Sequence, residues 1–218
     1  MVSLLCDGSI ESFSDLFYLS HRALSPGESP ETLEVLKDVG QTLAEGERFR
    51  ASDETEKVIG TLCSIGKRYL DVDKAGCAIM FFTRALEMSR GISNTASELA
   101  CIHDLGRCED KRGDYVASSA YFESEKSLAE RVGNSEAVLS ALTQLVGVRR
   151  KQAAEMEAKS GAESSLKFLL LGLTATQLCK DTVSEAKFSY EVGRVCTLCE
   201  KAEEGIPHLK NYVSVAQT

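Results

Sequence analysis

Small and large apolar residues recur along the chain at a fixed offset. Ile65-Gly66, Leu105-Gly106, Leu145-Val146 and Val192-Gly193 open similar segments whose first residues lie 40, 40 and 47 positions apart. Thirteen residues after each start stands a small residue in three segments, Ala78, Ser118 and Gly205, and four later a large apolar one, Phe82, Phe122 and Leu209. In the third segment the equivalents, Ser165 and Leu169, come seven residues late. Seven residues are close to two helical turns, so an extension within Arg149 to Gly161 lengthens a helix without changing its buried face. The pattern predicts antiparallel helix pairs in which the small residue permits close approach and the large one fills the space between. One hairpin cannot bury its own faces, so hairpins stack.

Helices are expected at about 53–70, 74–92, 95–111, 114–132, 135–159, 163–180, 183–201 and 203–215. Asp53 is expected to N-cap the first of them, while Ser135 and Ser184 begin Ser-Glu-Ala strings at two other starts. Gly91 and Gly133 stand where second helices should stop. Composition points the same way: the three prolines are Pro26, Pro30 and Pro207, so residues 31 to 206 contain none. The expected fold is all-α, a right-handed superhelical solenoid of antiparallel hairpins. Residues 1–52 form a helical cap or degenerate repeat, and 53–218 about four repeats, the third extended by two turns.

The residues that carry this pattern resemble the tetratricopeptide repeat. Its signature is a Leu-Gly pair, Gly and Tyr at the turn, a small residue, an aromatic and a final Ala-Leu. The first repeat supplies Gly66, Tyr69, Ala78, Phe82, Ala85 and Leu86, and the second Leu105, Gly106, Gly113, Tyr115 and Phe122. Glu109, Ser118 and Glu125 depart from it, standing where the motif has Tyr, Ala and Ala.

A narrower resemblance comes from Leu4-Leu5-Cys6-Asp7-Gly8, Ser12-Phe13-Ser14-Asp15-Leu16-Phe17, Leu33 to Arg48 and the long third repeat. Together they resemble the middle portion of the tetratricopeptide repeat protein 29 family. That resemblance implies a non-enzymatic subunit or adaptor of an axonemal inner-arm dynein assembly, located in the cytoplasm, the cytoskeleton and the axoneme of motile cilia or flagella. The partners it implies are the dynein heavy chain and a helical-repeat subunit with a MYND zinc finger. A different class of reading is a soluble cytosolic peptide-binding adaptor, linked to chaperones or transport.

Charge and candidate chemistry narrow the field. With 25 basic and 33 acidic side chains the net charge is −8, which disfavours nucleic acid and anionic membranes. The longest apolar stretch, Phe168 to Leu173, is too short to span a bilayer. Eight cysteines in 218 residues are too sparse for a disulfide scaffold and read as reduced thiols in helix packing. Cys196-x-x-Cys199 lacks the second ligand pair that a structural zinc site needs, and Asp71 and Asp73 open a calcium-like loop whose twelfth position is Phe82. Glu203 and Glu204 have no nucleophile beside them and read as a solvated face. No catalytic residue, metal or cofactor is expected.

In tetratricopeptide arrays the first helix of each pair lines the concave side. Lys67, Arg107, Gly147 and Arg194 stand two residues after the start of each Leu-Gly-type pair, and Cys63, His103, Thr143 and Tyr190 two before it. Lys67, Arg107 and Arg194, flanked by His103 and Tyr190, are the candidate partner-binding residues, suited to an acidic segment. The opposing expectation is that these cations pair with Asp and Glu of the next hairpin or cover apolar surface with their stems. At the ends, Phe13, Leu16, Phe17 and Leu24 predict an amphipathic capping helix. Ile206, Leu209, Tyr212, Val213 and Val215 predict an apolar last helix that a further repeat or another protein covers.

Overall fold

The computed structural model describes residues 10–23 and 30–216, all of whose regular structure is α-helical. The helices are α1 (Ile10–Ala23), α2 (Pro30–Ala51), α3 (Thr55–Asp71), α4 (Ala75–Gly91), α5 (Thr95–Arg112), α6 (Tyr115–Val132), α7 (Ser135–Ser160), α8 (Ala162–Cys179), α9 (Thr182–Leu198) and α10 (Ala202–Ala216). The chain divides into two compact units, Met1–Arg112 and Gly113–Thr218, so the boundary falls inside the second sequence repeat. Within each unit the helices pack mainly on their neighbours in sequence, as stacked hairpins do.

The turns explain the spacing. Asp53, Asp73, Ser93, Gly113 and Gly133 follow one another every 20 residues with φ between 55° and 79°, and Lys180 and Glu200 repeat the step. Each left-handed residue follows a helix, and at six of these turns the next residue's N–H returns to a carbonyl five positions back. Examples are Glu54 to Phe49 at 2.9 Å, Lys74 to Tyr69 at 2.8 Å and Asn134 to Ala129 at 2.9 Å. That same next residue starts the following helix, so a helix of 17 or 18 residues and a short turn make the 20-residue step.

One expectation about helix ends needs correction, and two hold with added detail. Asp53 is not an N-cap: it holds the left-handed position, φ 57°, and Glu54 is the cap residue, its side chain making no capping bond. The caps before the Ser-Glu-Ala strings are Asn134 and Asp181, which accept from the Ala137 and Ser184 N–H groups at 3.1 and 3.0 Å. Gly91 closes α4 as expected, with Ser93 taking the left-handed turn, and Gly133, φ 72°, both follows α6 and takes that turn. A short polar residue satisfies such a position locally, so neither glycine nor a serine start is required.

In the first unit, Ile59, Leu62, Ile65, Tyr69, Phe81, Phe82, Ile102 and Leu105 are buried. The Phe82 ring lies against Gly66, where a Cβ would stand 2.7 Å from Cζ, so the Gly-to-large pairing read from the spacing is a direct contact. Tyr69 stacks on Phe81 with centroids 6.0 Å apart and planes 3° from parallel. The capping helix α1 packs on α2, burying Leu16 and Leu19, and Asp15 pairs with Arg84 of α4. Phe17, expected on the buried stripe, is 55% exposed, and Leu19 takes its place. Leu24 and the Leu4 to Gly8 segment lie outside the described residues.

In the second unit, Phe122, Leu142, Leu145, Val148, Leu169, Leu173, Phe188, Val192 and Val195 form one cluster. Leu209 of α10 fills the notch over Gly193, where a Cβ would meet its Cγ at 2.4 Å. Phe188 does the same over Gly172 at 2.2 Å, between α8 and α9. The helix α7 has 26 residues, and its extension ends at Gly161, φ 87° and ψ 170°, a conformation almost confined to glycine. On α10, Ile206 and Val213 are exposed, and Tyr212 meets Tyr190 at 5.3 Å between ring centroids.

Candidate protein-interaction groove

The extension of α7 builds a groove. Arg150, Ala153, Ala154 and Glu157 stand at i, i+3, i+4 and i+7 and so share one stripe of the helix. Lys187, Glu191 and Arg194 form the facing stripe on α9. These residues, with Leu169 and Phe188, enclose about 430 Å³. Ala153, Leu169 and Phe188 are buried and make the floor, and Arg150 and Lys187 are exposed on the rim.

The adjoining stripe of α7 fixes the helix to α6. The Gln152 side-chain amide donates to the Tyr115 carbonyl at 2.8 Å and to the Ser119 hydroxyl at 3.2 Å. Arg149 is buried, donates to Gln152 Oε1 at 2.7 Å and pairs with Glu123. With its polar atoms satisfied this seam holds α7 in one register and so sets where Glu157 stands.

Charge is unevenly satisfied across the groove. Arg194 donates to both carboxylate oxygens of Glu157, at 3.0 and 2.8 Å, and to Glu191 at 2.7 Å. This bidentate contact holds the Glu157 carboxyl below its usual range and keeps Arg194 firmly protonated. Arg150 instead lies over the Phe188 ring, 5.2 Å from its centroid, and Lys187 stands on the opposite rim. Both also act on Asp181, whose carboxyl is lowered chiefly by hydrogen bonds from Ser184. The groove therefore has an apolar floor, a neutralised end at Arg194 and a cationic rim at Arg150 and Lys187.

Of the five residues chosen from spacing, Lys67 and Arg107 come together on one carboxylate. Lys67 Nζ is 4.0 Å from Asp104 Oδ2, and Arg107 donates to Asp104 Oδ1 at 3.2 Å, with Asp104 itself only 5% exposed. His103 is half-buried one residue before Asp104. Arg194 lies in the second unit, locked as described, and Tyr190 packs on Tyr212. All three cations are ion-paired, but only Lys67, on Asp104, reaches a carboxylate of the next hairpin; Arg107 and Arg194 pair within their own helices, and Arg194 also with Glu157 of the preceding repeat. Arg150, Lys187, Glu157 and Phe188 were not singled out from sequence. Their signal was the i, i+3, i+4, i+7 stripe inside the extension, which only the α9 partner turns into a groove.

Among the described residues no group of three or more His, Cys, Asp or Glu side chains is arranged to hold a metal, and no helix is long and apolar enough to cross a membrane. Compared with protein-family models and with curated proteins, the chain matches none. Among solved structures it is similar to the nearly identical TPR-like repeats of a Podosopora anserina kinesin light chain-type protein. That match has 12% identity and a TM-score of 0.46, covering 87% of this chain and 97% of that one. It is also similar to the apo form of the quorum sensor NprR from B. thuringiensis, at 16% identity and a TM-score of 0.43, covering 100% of this chain and 70% of that one.

Proposed function

We propose that the chain is a non-catalytic protein-interaction scaffold that receives an acidic segment of a partner protein in the groove between α7 and α9. The observation that carries this is the cationic rim, Arg150 and Lys187, above a buried apolar floor of Ala153, Leu169 and Phe188. An apolar side chain of the partner fills the cavity while carboxylates reach the rim, a combination of anchor and charge that gives both affinity and orientation. The finer reading is that the partner belongs to an axonemal inner-arm dynein assembly of motile cilia or flagella, with the dynein heavy chain and a MYND-finger helical-repeat subunit as neighbours. It rests on the resemblance of the first fifty residues and of the long third repeat.

Cross-linking mass spectrometry on detergent-extracted axonemes tests the finer reading. Lys187 joined to a dynein subunit is the expected result, and links reaching only soluble cytosolic proteins would overturn the dynein assignment. The groove is tested separately by Arg150→Glu with Lys187→Glu, assayed against whichever protein the cross-links identify. Losing two charged hydrogen-bonding contacts should weaken binding by about tenfold or more, with helix content unchanged by circular dichroism. Unchanged affinity in a still-helical chain sinks the groove as the site.

A further inference from the structure

The first unit brings two thiols together. Cys63 Sγ of α3 and Cys101 Sγ of α5 are 3.6 Å apart, although 38 residues separate them. The two helices also touch directly, beside the helix α4 that stands between them in sequence. Disulfide sulfurs stand at about 2.05 Å, so closure needs the sulfurs to approach by only about 1.5 Å. The other described cysteines, Cys77, Cys108, Cys179, Cys196 and Cys199, form no disulfide.

The pair is also asymmetric. Cys63 is half-buried, and Cys101 is fully buried. Either sulfur of this contact can donate its hydrogen. The contact lowers the Cys63 thiol below its ordinary value against the opposing effects of burial and Asp104, and the Lys67 ammonium one turn on adds a smaller lowering. The same contact, together with burial, raises the Cys101 thiol. One sulfur is thus the more accessible, and the other waits behind it protected by burial, the arrangement of an attacking and a resolving cysteine. Cys108, two turns further along α5, is pushed up to about 12 by burial and has no such role.

We propose that Cys63 and Cys101 are a peroxide-responsive dithiol that closes into a disulfide bridging α3 and α5. The oxidant is a hydroperoxide. The Cys63 thiolate attacks the O–O bond, forming the S–O bond of a sulfenic acid and releasing hydroxide, which takes up a proton as water when the oxidant is hydrogen peroxide. The Cys101 sulfur then attacks the Cys63 sulfur, the S–O bond breaks, and the thiol proton leaves with the hydroxyl as a second water. Two thiols lose two electrons in all, and the peroxide gains them. The bridge pins α3 to α5 one turn from Lys67 and Asp104, so it fixes the spacing of that ion-paired cluster. A thiol reductant reverses it.

The test uses the full chain with hydrogen peroxide under native conditions, followed by thiol blocking and trypsin without reductant. Peptides 58–67 and 91–107 each contain one cysteine, Cys63 and Cys101. The expected product joins these two, with a mass loss of two hydrogens, a melting temperature raised by several degrees and full reversal by dithiothreitol. In Cys101→Ala the sulfenic acid on Cys63 should persist and react with dimedone, and in Cys63→Ser neither product should form. Peroxide that leaves both thiols unlinked and unoxidised overturns the proposal. So does oxidation of Cys63 in the unmodified chain to the sulfinic acid without a link to Cys101.

Discussion

The two units stack the same kind of hairpin, and the second has one lengthened helix where the first has a regular repeat. In the first, helices α3, α4 and α5 have 17, 17 and 18 residues, and the cations of α3 and α5 converge on the buried Asp104. In the second, α7 has 26 residues, and its extension sends Glu157 across to Arg194. The local pairs are equivalent: Asp104 with Arg107 and Glu191 with Arg194 are both three residues apart on the first helix of a repeat. What the extension adds is a second carboxylate and two alanines whose short side chains leave room. Two extra turns keep the buried face in register, so the insertion reshapes the surface while leaving the core packing in place. A solenoid can therefore acquire a groove without redesigning its interior.

Glycine substitutions give the largest effects and separate core from surface within the second unit. At Gly172 a Cβ would lie 2.2 Å from the Phe188 ring, so Gly172→Ala forces α8 and α9 apart. It should cost about 2–3 kcal/mol in urea unfolding. At Gly147, in α7, a Cβ would meet nothing within 4 Å, and Gly147→Ala should stabilise by about 0.5–1 kcal/mol. The same chemical change thus has opposite signs on neighbouring helices. Equal effects of one sign would mean that close approach at Gly172 is not what positions Phe188 in the groove floor.

Gly161 tests the extension itself. Its φ of 87° and ψ of 170° suit no other residue, and Gly161→Ala should cost about 1–3 kcal/mol even though a Cβ there would meet nothing. No position among the described residues of the first unit shares that conformation, since its positive-φ residues are all close to the ordinary left-handed helical region in φ. If the substitution is silent, the extension ends in a way that does not fix the groove.

Acid should then weaken the second unit. Glu157 and Asp181 have carboxyls lowered in the fold from ordinary values of 4.5 and 3.8. A depressed carboxyl contributes stability that is complete above its unfolded value and is lost as pH falls through its folded one. The melting temperature should therefore decline from about pH 5 downward. Glu157→Gln should flatten part of that decline while costing less than about 1 kcal/mol at neutral pH, because the pair is partly exposed. A decline of the same depth in Glu157→Gln with Asp181→Asn would assign the acid sensitivity elsewhere.

The hairpins and the extension were legible because apolar spacing reports packing directly: Gly66 with Phe82 and Gly193 with Leu209 are real contacts. Gly172 and Phe188 stand at the same offset of 16, yet they belong to successive repeats, and the spacing of Leu-Gly pairs does not lead to them. The charged residues were harder to read. Lys67, Arg107 and Arg194 were found as a column, but their carboxylates come partly from other helices, whose distance is set by packing and not by sequence separation. Turn chemistry was read wrongly at Asp53 because Asp serves both as an N-cap and in the left-handed position, and the two sites are adjacent here.

That ambiguity supplies the finest comparison. Gly133 and Lys180 end α6 and α8 with nearly the same geometry, φ 72° and ψ 22° against φ 57° and ψ 33°. A Cβ in this region meets the following carbonyl at a cost of about 1 kcal/mol, which Lys180 bears and Gly133 avoids. Gly133→Ala should therefore destabilise by about 1 kcal/mol. Lys180→Gly removes the same strain but also frees the unfolded chain, so its net gain should stay below about 0.5 kcal/mol. The two changes, measured by urea unfolding in the same background, should differ in sign and not cancel. A loss on Lys180→Gly would mean that the lysine side chain contributes more than its backbone strain costs, and that the turn between α8 and α9, at the foot of the groove, is held by contacts and not by backbone conformation alone.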